Sequence, residues 1–129
     1  QRALDAMIAR ARSRIAFHRP LADQGMVREA IALSRCDIEQ ARLLTLSAAM
    51  KLDAGGARGA KDEIGMIKIV APRMAQRVID RAIQVHGALG VSEDSFLSKA
   101  YAGARALSLA DGPDEVHLTA LAKSMVAAR

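Results

Sequence analysis

A long apolar seam is the feature that most restricts how this chain can fold. From Ala22 to about Asp53 the seam residues recur at alternating intervals of four and three, at Val27, Ile31, Ser34, Ile38, Ala41, Thr45, Ala48 and Leu52. That spacing places all of these side chains on one face of an α-helix. A helix over roughly thirty residues is about 45 Å long, too long for a compact α/β domain. The seam therefore predicts a helical bundle.

The other apolar patterns predict four more helices with short connections. The first helix is expected to end near Pro20, and the third to span roughly Ala60 to His86. Ser92 is expected to cap a fourth helix, and Pro113 to be the first residue of a fifth. Because no segment alternates like a strand, the predicted fold is all-α. The expected architecture is an antiparallel bundle, a four-helix core with an additional C-terminal helix.

Two breaks in this pattern have specific expected effects. The glycine-rich sequence after Asp53, Asp-Ala-Gly-Gly-Ala-Arg-Gly, is expected to end the second helix because glycine tolerates left-handed conformations. Pro72 is expected to kink the third helix without ending it, since the apolar period continues in phase on both sides.

Composition limits the chain to a single aliphatic core. The 129 residues allow one domain, and they include only two Phe, one Tyr and no Trp. No leader and no apolar stretch long enough to span a membrane is found, so a soluble piece of a longer protein is expected. The lone Cys36 excludes an internal disulfide and is predicted to be a small buried residue on a helix.

The net charge of +5 comes mainly from arginine, which suits phosphate recognition. Nucleic acid is one possible partner, but aromatic stacking platforms and zinc-finger or RNA-binding motifs are missing, and a phosphorylated ligand or cofactor fits at least as well. Arg73, Arg77 and Arg81 recur every four residues and repel one another by a few tenths of a kcal/mol per pair unless neutralised. A solvated face with Asp80 nearby is the favoured interpretation, and a subunit or phosphate contact is the alternative.

The joint between the last two helices contains the sequence Ala-Asp-Gly-Pro-Asp-Glu-Val-His. With Pro113 opening the helix, Asp111 lies just outside it, and its carboxylate is free to point into a cleft. On spacing alone, a capping role for Asp111 is the favoured interpretation. Asp114 and Glu115 fall in the first helical turn, where carboxylates complement the helix dipole. Asp114-x-x-His117 has the spacing of di-iron bundles, but the further ligands are missing, so no metal site is predicted.

The third helix ends in the sequence Gln84-Val85-His86-Gly87-Ala88-Leu89-Gly90. Two glycines around Ala88 are more than a helix end requires, and they would let another backbone approach closely. His86 is a candidate acid, base or ligand, although a helix-end histidine that stabilises the C-terminal dipole is the favoured interpretation.

Together these motifs are similar to those of the C-terminal helical domain of the acyl-CoA dehydrogenases, over essentially the whole chain, 1–129. Arg14-Ile15-Ala16-Phe17 resembles the family's Arg-x-x-Phe, and Gln84 to Gly90 resembles its Gln-x-x-Gly-Gly-x-Gly. Ala110-Asp111-Gly112-Pro113 falls where most members have Tyr-Glu-Gly-Thr. The run that follows is similar to the subgroup with Asp at that position, which includes the mammalian members ten and eleven.

The resemblance implies α,β-dehydrogenation of an acyl-CoA thioester, with Asp111 as the base that takes the α-proton and FAD as the hydride acceptor. It also implies electron transfer to an electron-transferring flavoprotein and a homo-oligomer, dimer or tetramer, in which the Gln84–Gly90 segment packs against the FAD of a neighbouring subunit. The residues implied to contact FAD are Arg14, Phe17, Gln24, Gln84, Gly87, Ala88 and Glu115.

The chain departs from the family pattern near the implied cofactor. His18 and Ala88 each replace a glycine, Pro113 replaces a threonine and Glu115 replaces a glutamine. Asp111 is one methylene shorter than the usual glutamate, so the backbone or the substrate is expected to shift by about an ångström, which can alter chain-length preference.

The resemblance also places the family's N-terminal helical domain and middle β domain outside this chain, so the isolated fragment is expected to be inactive. The expected location is cytoplasmic for a bacterial protein and mitochondrial or peroxisomal for a eukaryotic one. Two other classes stay open: a helical oligomerisation module, and a basic bundle that binds DNA or RNA with steep salt dependence.

Overall fold

The computed structural model describes residues 1–127, so the last two residues of the predicted domain lie outside the described part. The predicted all-α class is confirmed, apart from one short hairpin. The elements in chain order are α1 Arg2–Ser13, β1 Ile15–Ala16, β2 Arg19–Pro20, a 3-10 turn Leu21–Asp23, α2 Gly25–Gly59, α3 Lys61–His86, α4 Ala88–Val91, α5 Leu97–Leu107 and α6 Asp114–Ala127. Strands of two residues give no alternation to detect, so the sequence pattern missed the hairpin.

Helices α2 and α3 run antiparallel and form the long axis of the bundle. Asp37 on α2 pairs with Arg77 and Arg81 on α3, whereas Lys51 pairs with Glu63 close to the joint between the two helices. Helices α1 and α5 pack on this pair, and α6 packs against α3. The core is aliphatic, as composition predicted, and consists of Ala3, Leu4, Met7, Ile38, Val78, Ile79, Ala82, Leu97 and Ala104.

The prediction that the glycine-rich segment ends α2 is confirmed. The break comes within that segment at Gly56, whose φ of 65° and ψ of −172° interrupt the helix before Gly59. The other glycines of this segment keep helical backbone angles. Glycine is needed only where φ is positive, because other residues rarely adopt that conformation. The ion pair between Lys51 and Glu63 then ties the two sides of the joint together. Helix α3 runs through the buried Pro72 without ending, as predicted.

The starts of the last two helices differ from the prediction. Ser92 does not cap α5, because the chain first makes the short helix α4 and the Ser92 hydroxyl donates to the Leu89 carbonyl at 3.0 Å. The backbone N–H of Leu97 donates instead to Ser95 Oγ at 3.1 Å. Helix α6 begins at Asp114, one residue after Pro113, a shift within the normal variation of helix boundaries.

The predicted burial of Cys36 was also wrong, because this side chain is exposed. Cys36 lies midway between the buried residues Ser34 and Ile38, which places it on the opposite side of α2. Further along α2 three large apolar side chains face outwards, with Leu43, Leu46 and Met50 exposed by 64%, 53% and 72%. Within residues 1–127 no helix combines the length and the apolar character needed to cross a bilayer.

Candidate functional site

The turn that connects α5 to α6 is fastened to α3. Lys68 Nζ donates to the Leu107 carbonyl at 2.6 Å, and Gln76 Nε2 donates to Ser108 Oγ at 2.9 Å. The backbone N–H of Asp114 closes the turn by donating to the Ser108 carbonyl at 3.2 Å. Residues 109–111 project from this fastened base and are exposed.

Asp114 adds an ion pair to the same anchorage. Its side chain is only 9% exposed, and Oδ2 accepts a hydrogen bond from Arg73 Nε at 2.8 Å. The other oxygen, Oδ1, is buried and has no hydrogen-bond partner. Asp114 lies in the first turn of α6, as predicted, and it also neutralises an arginine of α3. The four-residue repeat of arginines was the sequence signal that a counter-charge was needed.

Asp111 lies at the exposed tip of the turn with a positive φ of 52°. A non-glycine residue in that region costs about 1 kcal/mol or more, although Asp tolerates it better than most residues. The favoured capping role is not found: within residues 1–127 the Asp111 carboxylate makes no hydrogen bond to α6, and its backbone carbonyl accepts one from His117 Nε2 at 3.2 Å. The backbone of Asp111 is thus held by His117, while the Asp111 carboxylate is free of contacts with α6.

The hairpin after α1 presents a second exposed group. Phe17 and His18 occupy its tip with φ of 54° and 64°, the pair of positive values that a type I′ turn requires. Glycine or asparagine normally occupies such positions, so the turn is strained here. The Phe17 side chain is 88% exposed, which is unusual for a phenyl ring. The tip of the hairpin is therefore both strained and exposed.

Arg14 and Gln24 lie at the two sides of this hairpin. Arg14 follows α1 directly; its side chain is exposed, and its carbonyl accepts a hydrogen bond from the Leu21 backbone N–H at 2.9 Å. Gln24 precedes α2, and its Oε1 accepts from Arg19 Nη2 at 2.9 Å. Arg14, Phe17 and Gln24, three of the predicted cofactor residues, therefore all lie on or beside this hairpin.

The end of α3 contains the close backbone approach that its glycines predicted. A Cβ at Gly90 would lie 2.8 Å from both the Cα and the carbonyl oxygen of Ile83, so the approaching backbone is that of α3 itself. Gly87 has a φ of 65° and turns the chain, leaving Gln84, Gly87 and Ala88 exposed. His86 Nδ1 donates to the Ala82 carbonyl at 2.7 Å, a structural role at the helix end.

The predicted site residues form two groups rather than one pocket. Because α2 and α3 are antiparallel, the hairpin and the Gly87 turn lie towards the same end of the bundle. The Asp111 turn lies beside Lys68 and Arg73, about 20 Å further along α3 by the helical rise. Of the predicted cofactor residues only Glu115 is near Asp111; it lines a cavity of about 270 Å³ together with Arg73, Gln76, Arg105, Ser108, Leu109 and Asp114.

The arginines of the stripe are at least partly exposed, as the solvated-face interpretation expected, but each of them pairs with a carboxylate. Asp37 on α2 accepts from Arg77 Nη2 at 3.0 Å and from Arg81 Nη1 at 2.6 Å, while Arg73 pairs with Asp114. Partial burial raises the pKa of Asp37, but the hydrogen bonds and charges of the two arginines outweigh it, so the net pKa is lowered. Within residues 1–127 no group of three histidine, cysteine or carboxylate side chains is arranged to hold a metal ion.

Comparison with known proteins decides the family. A family model described as the acyl-CoA dehydrogenase C-terminal domain matches residues 1–126. The chain belongs to the acyl-CoA dehydrogenase family. Acyl-CoA dehydrogenases are flavoprotein oxidoreductases, and the helical bundle seen here is their C-terminal domain.

Individual acyl-CoA dehydrogenases share about half of their residues with this domain. The probable acyl-CoA dehydrogenase FadE2 of Mycobacterium tuberculosis is 55% identical over 96% of this chain, and human acyl-CoA dehydrogenase family member 11 is 53% identical over 95%. A solved Mycobacterium abscessus structure assigned to the acyl-CoA dehydrogenases matches 97% of the chain at 50% identity with a TM-score of 0.94, covering 31% of that protein. The chain spans 30% of the Mycobacterium tuberculosis relative and 16% of the human one.

Proposed function

We propose that this domain supplies the catalytic base and part of the FAD support of an enzyme that dehydrogenates acyl-CoA thioesters between the α and β carbons. The observation that carries the proposal is the Asp111 turn. Three contacts from α3 and one from His117 fasten it, yet the Asp111 carboxylate is exposed and free of hydrogen bonds to α6.

A free carboxylate on a fixed backbone suits proton abstraction. A general base must reach the proton it removes and must not be occupied by another partner. The fastened turn meets the first condition, because it holds the base in one position. Position matters, since misplacement by an ångström can cost on the order of a hundredfold in rate. The exposed Asp111 side chain supplies the second. Bound FAD would accept the β-hydrogen as hydride, which is the chemistry that the cofactor contributes.

The hairpin end of the bundle suits the dinucleotide. An exposed guanidinium at Arg14 fits a diphosphate, and an exposed ring at Phe17 offers an aromatic face for stacking. Gln24, Gln84, Gly87 and Ala88 add amide groups and accessible backbone at the same end. These residue types fit FAD, and Glu115 near the base is proposed to face the reactive end of the cofactor.

The separation between the two groups favours an oligomeric site. About 20 Å of α3 lies between the Asp111 turn and Gly87, so we propose that the Gln84–Gly90 segment serves the FAD of a neighbouring subunit. The exposed apolar side chains of Leu43, Leu46 and Met50 provide a surface for the homo-oligomer, a dimer or a tetramer. We propose an electron-transferring flavoprotein as the electron acceptor. Relatives occur in bacteria, mammals and plants. We propose a cytoplasmic location if this protein is bacterial and a mitochondrial or peroxisomal location if it is eukaryotic.

The apolar face of α2 also supports a second candidate, a helical oligomerisation module without catalysis. The two candidates differ in what they require of Asp111, since only the dehydrogenase needs its carboxylate. Nucleic-acid binding is less well supported, because Arg73, Arg77 and Arg81 already have carboxylate partners.

The proposed function is tested by Asp111→Asn in a full-length dehydrogenase that carries this domain. Asparagine keeps the size and polarity of the side chain but cannot take a proton. Turnover should fall on the order of 100- to 10,000-fold while FAD absorbance per subunit stays unchanged. Asp80→Asn, which changes an exposed carboxylate on α3, is the matched control and should keep full activity. An Asp111→Asn enzyme with wild-type turnover and full FAD content would exclude Asp111 as the base.

A further inference from the structure

His117 is placed to control the turn that carries Asp111. Its Nε2 lies 3.2 Å from the Asp111 carbonyl oxygen, six residues earlier in the chain. A carbonyl oxygen only accepts hydrogen bonds, so the ring must carry its proton on Nε2. This bond crosses from the second turn of α6 back to the exposed tip.

The backbone between the two residues depends on support from outside. Asp111 and Gly112 both have positive φ, at 52° and 91°. Positive φ values are sparsely populated for residues other than glycine, so the conformation at Asp111 persists only where its surroundings hold it. The anchors from α3 hold Leu107, Ser108 and Asp114, which flank the tip, and His117 alone among the side chains of residues 1–127 bonds to Asp111 itself.

Gly112 makes room for this contact. A Cβ at Gly112 would lie 3.3 Å from His117 Nε2 and 3.8 Å from Val116 Cγ1. The ring therefore packs against the one residue of the turn that lacks a side chain. Both the hydrogen bond and the close packing fix the position of the His117 ring relative to the Asp111 backbone.

We infer that His117 is a positioning residue for Asp111: its Nε2–H holds the Asp111 carbonyl and keeps the carboxylate aimed in one direction. The inference rests on the proposed function, in which Asp111 is the base. Removing the donor should leave the fold and the cofactor in place but let the tip move, and a mobile base abstracts a proton more slowly.

The test compares two variants of a full-length dehydrogenase carrying this domain. His117→Gln keeps an N–H donor at similar reach, whereas His117→Met has a similar length and no donor. His117→Met should lower kcat on the order of 10- to 100-fold with KM and FAD content unchanged, and His117→Gln should recover most of the loss. Equal kcat values for the two variants would overturn the inference, because the ring would then only fill space.

A second measurement addresses the contact without relying on turnover. In NMR spectra of the 129-residue chain, recorded at alkaline pH so that the imidazoles are neutral, His117 should be the Nε2–H tautomer and His86 the Nδ1–H tautomer. The Asp111 carbonyl shift and the rigidity of Gly112 should be the same in wild type and His117→Gln and should change in His117→Met. An Nδ1–H tautomer at His117, or a Gly112 that is equally rigid in His117→Met, would overturn the proposal.

The same experiments separate this inference from the proposed function. If Asp111→Asn is inactive while His117→Met keeps wild-type kcat, only the positioning role fails. If Asp111→Asn is fully active, the base assignment fails, and the catalytic part of the positioning role fails with it.

Discussion

Arg73 on α3 and Asp114 at the first residue of α6 form an ion pair of 2.8 Å in which the two partners differ sharply in burial. The Arg73 side chain is 48% exposed and the Asp114 side chain 9%. The arginine can be solvated without its partner, but the carboxylate cannot. The pair therefore makes the start of α6, and with it the Asp111 turn, depend on a charge supplied by α3.

Removing Arg73 should lower the free energy of unfolding more than removing the charge of Asp114. Arg73→Met leaves a buried, uncompensated carboxylate and should lower the free energy of unfolding by about 3 kcal/mol, whereas Asp114→Asn should cost about 1 kcal/mol. Arg28→Met, which breaks a pair with Asp23 at the surface, is the control and should cost less than about 1 kcal/mol. Urea denaturation of the three variants measures the order, and equal losses for Arg73→Met and Arg28→Met would contradict the predicted burial effect.

Two glycines offer a matched test of local packing. A Cβ at Gly90 would collide with the backbone of Ile83 at 2.8 Å, while a Cβ at Gly103 on α5 meets nothing within 4 Å. Gly90→Ala should therefore destabilise the chain by about 1 to 3 kcal/mol. Gly103→Ala should stabilise it by about 0.5 to 1 kcal/mol, because alanine is the better helix former. Thermal unfolding of both variants checks the opposite signs, and a Gly90→Ala protein of wild-type stability would refute the close approach.

Acid should weaken the link between α2 and α3 at Asp37. Its pKa is lower in the folded chain than in the unfolded one, so its contribution to stability is present above the unfolded value of about 4 and is lost as pH falls through the lower folded value. The free energy of unfolding of wild type should exceed that of Asp37→Asn by a constant amount near neutral pH. The difference should shrink below about pH 4. Denaturation at several pH values measures it, and the difference for Asp80→Asn should stay small throughout.

Periodicity predicted the long helices α2 and α3 because each of them buries a regular face. The seam of α2 is buried at Val27, Ser34, Ile38, Ala41 and Ala48, and the break after His86 falls where the glycines indicated. The helix ends were less predictable, since several glycines can satisfy the same pattern and only tertiary contacts select one. Gly56 rather than Gly55 takes the left-handed conformation, and Ser95 rather than Ser92 bonds the start of α5.

In the candidate site, too, local features could be predicted from the sequence and contacts between distant residues could not. The motif around Asp111 predicted that this residue lies at a joint just outside the last helix, which is a local property and is seen, whereas the favoured capping role is not. The partnership of Arg73 with Asp114, and that of Asp37 with Arg77 and Arg81, join residues about forty positions apart in the chain. A pattern of like charges shows that partners are needed, but it does not identify them. The bond from His117 was missed because it depends on the positive φ values of the turn.

The exposed face of α2 should drive self-association of the chain. Leu46→Glu places a charge in the middle of the apolar surface formed with Leu43 and Met50, so it should weaken association without disturbing the core. Sedimentation at increasing protein concentration should show a shift towards monomer, with the helical circular dichroism unchanged. Cys36→Ser, on the same exposed side of α2 but outside this surface, is the control. A wild-type chain that stays monomeric at high concentration would contradict the prediction.

The two groups of residues that serve one site should belong to different subunits of the full-length enzyme. Asp111→Asn removes the base, and Gln84→Ala should weaken FAD retention, so each variant alone should be poorly active at limiting FAD. If the Gln84–Gly90 segment serves the neighbouring subunit, a mixed dimer contains one site with both defects and one site with neither. Co-expressing the two variants should then restore activity above the sum of the separately purified enzymes. If both groups serve the same FAD within one subunit, every site in the mixture has one defect and no activity returns. Co-expression of Asp111→Asn with Arg14→Ala should restore activity in the same way, because the hairpin that carries Arg14 lies towards the same end of the bundle as Gln84.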